Sequence, residues 1–131
     1  MKYIVIIARS LISIFGIALL ALGIAFWTGH GLSLLSLHML LGTLFVICMW
    51  VLAGVGFAVR GARGLAFIVL VWSLIVPALG VAQVRLLPGS DHWVVETAHL
   101  LVGIIAMGLG HVLARRLGRQ PAPAARVPER A

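Results

Sequence analysis

DHWVVETAHLLVGIIAMGLGHVLARR, residues 91–116, is mostly apolar and long enough as a helix to cross a bilayer, which needs about 20 residues. Successive helical residues turn by about 100°, so residues spaced by three, four or seven lie roughly on one face. That face contains His92, Glu96, His99, Gly103, Met107 and Gly110. Because ionisable side chains are costly against lipid, we expect this face to look into protein or a cavity.

A second stretch, LSLHMLLG at residues 35–42, repeats part of this pattern. His38 is followed four residues later by Gly42, as His99 is followed by Gly103. The shift that superimposes the two histidines also aligns several apolar residues behind them. If the match reflects a repeat, the chain consists of two helical hairpins related by an axis along the membrane normal.

The composition indicates an integral membrane protein. The 131 residues are 63% hydrophobic and 10% charged, and the mean hydropathy is +1.19. An ordinary soluble domain is about half apolar. Four apolar runs are long enough to span a bilayer, so the sequence predicts an all-α, four-transmembrane-helix up-down bundle.

The predicted helices cover residues 3–27, 33–59, 65–86 and 91–117, and they form one transmembrane domain. The first run is longer than the core of a signal peptide, so we expect an uncleaved membrane helix. Pro77 lies inside the third helix, where it is expected to kink the helix or to be tolerated by packing. Residues 118–131 are rich in proline, alanine and arginine, which predicts a disordered tail.

The basic residues predict the orientation. All but one of the lysines and arginines near helix ends fall on one side, and Arg85 alone falls on the other. The positive-inside rule then places both termini in the cytoplasm of a multi-pass protein. The preference for arginine over lysine is typical of a high-GC bacterium, so we expect the bacterial inner membrane. We expect the net charge of +7 to set topology in the lipid bilayer rather than to bind nucleic acid.

His38 and His99 are predicted to lie at a common depth, roughly 7 to 10 Å below the outer interface, because each follows the start of a helix running in the same direction. Imidazole is a good ligand for haem iron, zinc and copper. Gly42 and Gly103 leave room beside these histidines for a flat group. The alternative is that both glycines only allow close helix packing.

With these two His-x-Leu-x-Gly stretches, the chain resembles small four-helix membrane cytochromes of the b type. The resemblance implies one haem b held by His38 and His99, with electrons exchanged with a quinone or a partner membrane protein. Dihaem members have a second histidine lower on each ligand helix. Here only His111 is available, and Trp50 occupies the matching position on helix two.

A competing hypothesis uses the outer face of helix four. His92, Glu96 and His99, with His38 added, suit a zinc or copper site or a proton relay in a small transporter or membrane subunit. Otherwise Glu96 pairs with Arg85 or His92, no cofactor is bound, and the helices serve packing or a homo-oligomer. The sequence contains no phosphate-binding loop, dinucleotide turn or nucleophile elbow, so no catalytic residue is assigned.

Overall fold

The computed structural model describes residues 1–119, and the predicted tail from residue 120 onward lies outside them. Within that range the chain is helical, with no strand. The four long helices are α1 (Lys2–Trp27), α2 (Leu35–Ala58), α3 (Arg63–Ala82) and α4 (His92–Gly118). Each is long and apolar enough to cross a membrane. The predicted all-α four-helix membrane fold is therefore confirmed.

Short 3₁₀ turns account for most differences from the expected helix limits. Leu32–Leu34 precedes α2, Arg60–Ala62 precedes α3, and Gln83–Arg85 follows α3. Such turns are frequent at the ends of α-helices. Helix α3 continues through Pro77, and α4 includes Gly118, which the sequence had placed in the tail.

The helices form an up-down bundle in which each packs against its two neighbours around a ring. Contacts join α1 to α2, α2 to α3, α3 to α4 and α4 to α1, while α2 and α4 also touch across one diagonal. We call the end with the 28–34 and 86–91 connections the histidine end. The opposite end, with the 59–62 connection and residue 119, is the arginine end.

The connection from α1 to α2 depends on two glycines with left-handed backbone, Gly29 at φ 77° and Gly31 at φ 72°. Residues that carry a side chain rarely adopt that backbone conformation. Asp91 occupies the N-cap position of α4, but its side chain makes no capping hydrogen bond. Its carboxylate instead lies 3.5 Å from the Ser90 hydroxyl, so the helix start gains no side-chain cap from either residue.

The buried core lies between the arginine end and the middle of the bundle. Among the described residues, Val95 is the single buried residue that lies well towards the histidine end. The other buried hydrophobic side chains are Val5, Ala8, Ile12, Phe45, Val46, Cys48, Met49, Leu52, Ala53, Ala62, Ala66, Val69, Ala106, Leu113, Ala114 and Leu117. The two halves of one bundle therefore differ in packing, and the histidine half is the more open.

Glycines bring the helices together within this core. A methyl group on Gly56 would lie 2.7 Å from the Cβ atom of Ala66, and one on Gly110 would lie 2.7 Å from the sulfur of Met49. Neither position has room for a side chain without movement of its neighbour. These glycines therefore serve close helix packing.

Candidate functional site

The candidate site is the pair formed by His38 and His99 near the histidine end. His38 lies in the first turn of α2, and His99 lies two turns into α4. Both helices run from the histidine end to the arginine end, and they face each other across the diagonal where they touch. The fold thus brings together two histidines that are far apart in sequence.

The two imidazoles are close and partly buried. Their ring centroids are 6.5 Å apart and their planes are inclined by 49°. The Nδ1 atom of each ring is buried without a hydrogen-bond partner in the described part of the chain. Buried polar atoms are nearly always hydrogen-bonded, so these two nitrogens need an explanation, as does Nδ1 of His111, which is also buried without a partner among the described residues.

Helices α1 and α3 complete the surroundings of the pair. The Phe26 ring of α1 lies 5.4 Å from the His38 ring, centroid to centroid, with the planes inclined by 59°. On α3, a methyl group added to Gly80 would lie 3.0 Å from Cε1 of His99. Gly80 therefore leaves the space that the His99 ring occupies, and every helix contributes one residue to the site.

Gly42 and Gly103, each one turn further along from a histidine, differ from the packing glycines of the core. A methyl group on Gly103 would have no other atom within 4 Å, and one on Gly42 would meet only a Leu19 methyl carbon, at 3.9 Å. Neither glycine brings two helices into close contact within the bundle. Open space therefore lies beside Gly103, whereas Gly42 has an ordinary contact with α1.

The spacing of the pair is that of directly packed rings, and it is also near that of two rings on opposite sides of one metal ion. With a metal–imidazole bond of about 2.0–2.1 Å and about 1 Å from each nitrogen to its ring centre, two rings in that opposed arrangement have centroids roughly 6 Å apart. The observed 6.5 Å is close to that value. Zinc sites, however, take three or four protein ligands. His38 and His99 are the residues that would hold a haem iron, which takes one or two ligands from protein.

The alternative metal site would use the outer face of α4. Within residues 1–119 no group of three or more histidine, cysteine, aspartate and glutamate side chains is arranged to hold a metal ion. The imidazole of His92 lies with Nδ1 3.2 Å from the carbonyl oxygen of Leu86, to which it can donate. The site of His92, Glu96 and His99 stays a prediction. The pairing of Glu96 with Arg85 or His92 stays a prediction.

Comparison with protein-family models, with curated proteins and with solved structures finds no match to this chain. The assignment of a function therefore depends on the geometry of the bundle and on the chemistry of its side chains.

Two tryptophans, Trp50 and Trp72, link α3 to its neighbours by hydrogen bonds. The Nε1–H group of Trp50 donates to the Ser73 hydroxyl over 2.9 Å, and that hydroxyl donates to the Leu70 carbonyl over 2.7 Å. Trp72 donates to the carbonyl of Val102 on α4 over 3.0 Å. These bonds fix α3 against the helices that carry the histidines.

Proposed function

We propose that the protein binds one haem b between α2 and α4 and serves as an electron carrier. In this proposal His38 and His99 would hold the haem iron, and Gly42 and Gly103 would lie beside the macrocycle. The proposal agrees with the resemblance to small four-helix b-type cytochromes. Bound haem supplies reversible one-electron chemistry at its iron.

The observation that carries the proposal is the paired arrangement of His38 and His99. Two imidazoles have centroids 6.5 Å apart, and within residues 1–119 no third metal-ligating side chain is assembled beside them, which agrees with the number of ligands that haem iron takes from protein. Burial of a polar imidazole without a partner is unfavourable. Coordination of an iron ion through Nδ1 of each ring would offset that cost.

The uneven packing of the bundle supports the same proposal. Protein interiors are close-packed, and large voids between elements are rare. In this bundle the buried side chains are concentrated away from the histidine end. A flat apolar group between the helices would supply the contacts that side chains do not provide there.

The position of the pair suits electron exchange at one surface of the membrane. His38 lies within the first turn of α2, so a haem held there is close to the aqueous edge, where a quinone or a partner membrane protein can approach. The positive-inside rule places the arginine end in the cytoplasm. In the proposed bacterial inner membrane, the site therefore faces the outer side.

The proposal is tested by an oxidised-minus-reduced visible spectrum of protein purified in detergent from haem-supplemented cells. His38→Ala and His99→Ala are each expected to lose the haem band, because each removes one of two axial ligands. His30→Ala is the matched control, since His30 is exposed in the connection between α1 and α2.

A wild-type protein without haem, or two variants that retain the wild-type spectrum, would contradict the proposal. His92→Ala separates it from the metal-site alternative. Haem binding predicts an unchanged spectrum in that variant, whereas a zinc or copper site on the His92 face predicts loss of a metal that elemental analysis detects.

A further inference from the structure

A groove between α1 and α4 near the arginine end has a volume of about 590 Å³ and lies apart from the histidine pair. Its polar wall consists of Arg9, Ser13, His111 and Arg115. We propose that this groove binds the headgroup phosphate of an anionic phospholipid in the adjoining leaflet. The inference does not depend on the binding of haem.

The polar wall is organised by hydrogen bonds that join the two helices. The Ser13 hydroxyl lies 3.2 Å from the Arg9 carbonyl and can donate to it. The same oxygen lies 3.3 Å from Nε2 of His111, so it can accept a hydrogen bond from that imidazole. Ser13 and His111 therefore hold α1 and α4 at a fixed separation between the two arginines.

The positive charges of Arg9 and Arg115 in this groove favour the binding of an anion. Arg9 lies seven residues after Lys2, the first residue of α1, so its charge is placed well inside a membrane-spanning helix. Such a charge is costly unless it is paired or reaches the interface. The acidic residues among residues 1–119 are Asp91 and Glu96, at the opposite end of the bundle. A lipid phosphate supplies the missing negative charge.

The apolar wall explains why the anion belongs to a lipid. Ile105, Leu109 and Val112 line the same groove, and a methyl group on Gly108 would have no atom within 4 Å. The groove is therefore open along α4 towards the middle of the bundle. An acyl chain can follow this wall while its phosphate lies between the arginines. Basic pockets between membrane helices are recognised sites for anionic headgroups.

The test is native mass spectrometry of the full-length protein in detergent, titrated with phosphatidylglycerol and, separately, with phosphatidylcholine. The wild type is expected to bind phosphatidylglycerol more tightly. Arg9→Gln with Arg115→Gln should weaken that binding about thirtyfold, because each basic residue near an anionic membrane surface contributes a factor of roughly five. Arg9→Lys with Arg115→Lys should keep most of the binding, since the charges remain.

Arg60→Gln with Arg63→Gln is the matched control, because it removes two charges from the same end of the bundle but outside the groove. It should leave phosphatidylglycerol binding within about twofold of wild type. Equal loss in the groove and control variants, or none in the groove variant, would overturn the proposal. Competition by millimolar inorganic phosphate would also overturn it, because the site would then bind a free anion. Circular dichroism establishes that each variant is folded.

Discussion

Gly80→Ala is the substitution that tests most directly whether the environment of His99 is built for a ligand. The added methyl carbon would lie 3.0 Å from Cε1 of His99 and 3.6 Å from both ring nitrogens. Ordinary contacts between carbon atoms are about 3.5–4.0 Å, so the ring must move by roughly half an ångström. Metal-binding geometry tolerates about 0.5 Å of displacement, which places this shift at the limit.

Two opposing effects of Gly80→Ala determine how much haem affinity and stability change. Overpacking of a filled site costs about 1–3 kcal/mol, which corresponds to roughly a five- to 150-fold loss of haem affinity when the ring must return to its ligating position. Alanine is also the better helix former, by about 1 kcal/mol. The helix itself should therefore remain intact, and the loss should be seen in haem binding rather than in folding.

The assay is a haem titration of detergent-purified protein, followed by the visible spectrum, with helicity measured by circular dichroism. Gly54→Ala is the matched control, because a methyl group there would have no atom within 4 Å. Gly80→Ala with wild-type haem affinity would refute the proposed role of Gly80. A comparable loss in Gly54→Ala would show that the effect is not specific to the His99 ring.

The remaining predictions concern the packing of the bundle and the open space beside the site. Gly56→Ala should lower the unfolding free energy by about 1–3 kcal/mol, because its methyl group would lie 2.7 Å from Ala66 Cβ; denaturation in a detergent titration measures this, and an unchanged midpoint would contradict it. Ser73→Ala leaves the Trp50 N–H group without its acceptor and should lower the unfolding free energy by about 1–3 kcal/mol in the same titration. A smaller loss of stability in Ser73→Ala than in Trp50→Phe would count against this assignment. Gly103→Leu should fold normally but bind haem at least tenfold more weakly, a loss of roughly 1.4 kcal/mol of binding free energy, because the leucine side chain fills the open space. Full haem retention in this variant would exclude that space as part of the site.

The fold was predictable because hydrocarbon imposes a strict rule on the backbone. Every polar backbone group that crosses it must be satisfied within its own helix, so long apolar runs identify the spans. The connections were also marked in the sequence, as in Gly29 and Gly31, whose left-handed backbone occurs between α1 and α2. The 3₁₀ turns were not predicted, because they depend on how each end packs.

The candidate site was only partly predictable. The matched spacing of His38 and His99 from their helix starts indicated a common depth, but not that α2 and α4 meet across the diagonal. Phe26 and Gly80 were missed altogether, since their contacts with the histidines join different helices. Their positions near the histidine end were visible in the sequence, but the rotation of each helix about its axis was not.

Helical spacing alone does not predict the surroundings of a side chain at the start of α4. Residues three or four apart share a face, but the side chain in the first turn of a helix is also beside the preceding connection. His92 is such a residue, and its ring is close to the Leu86 carbonyl. His99, two turns further along, has no such nearby connection and meets the ring of His38 instead.

The division of the glycines into two kinds connects the packing of the bundle to its proposed function. Gly56 and Gly110 have neighbours so close that a side chain cannot be added, and they lie where the core is buried. Gly103 has open space, as Gly54 and Gly108 also have, and Gly42 has one ordinary contact, with Leu19. What distinguishes Gly42 and Gly103 is that each lies one turn after a histidine. In the proposed function, the tightly packed glycines hold the helices in register, while Gly42 and Gly103 leave space beside His38 and His99.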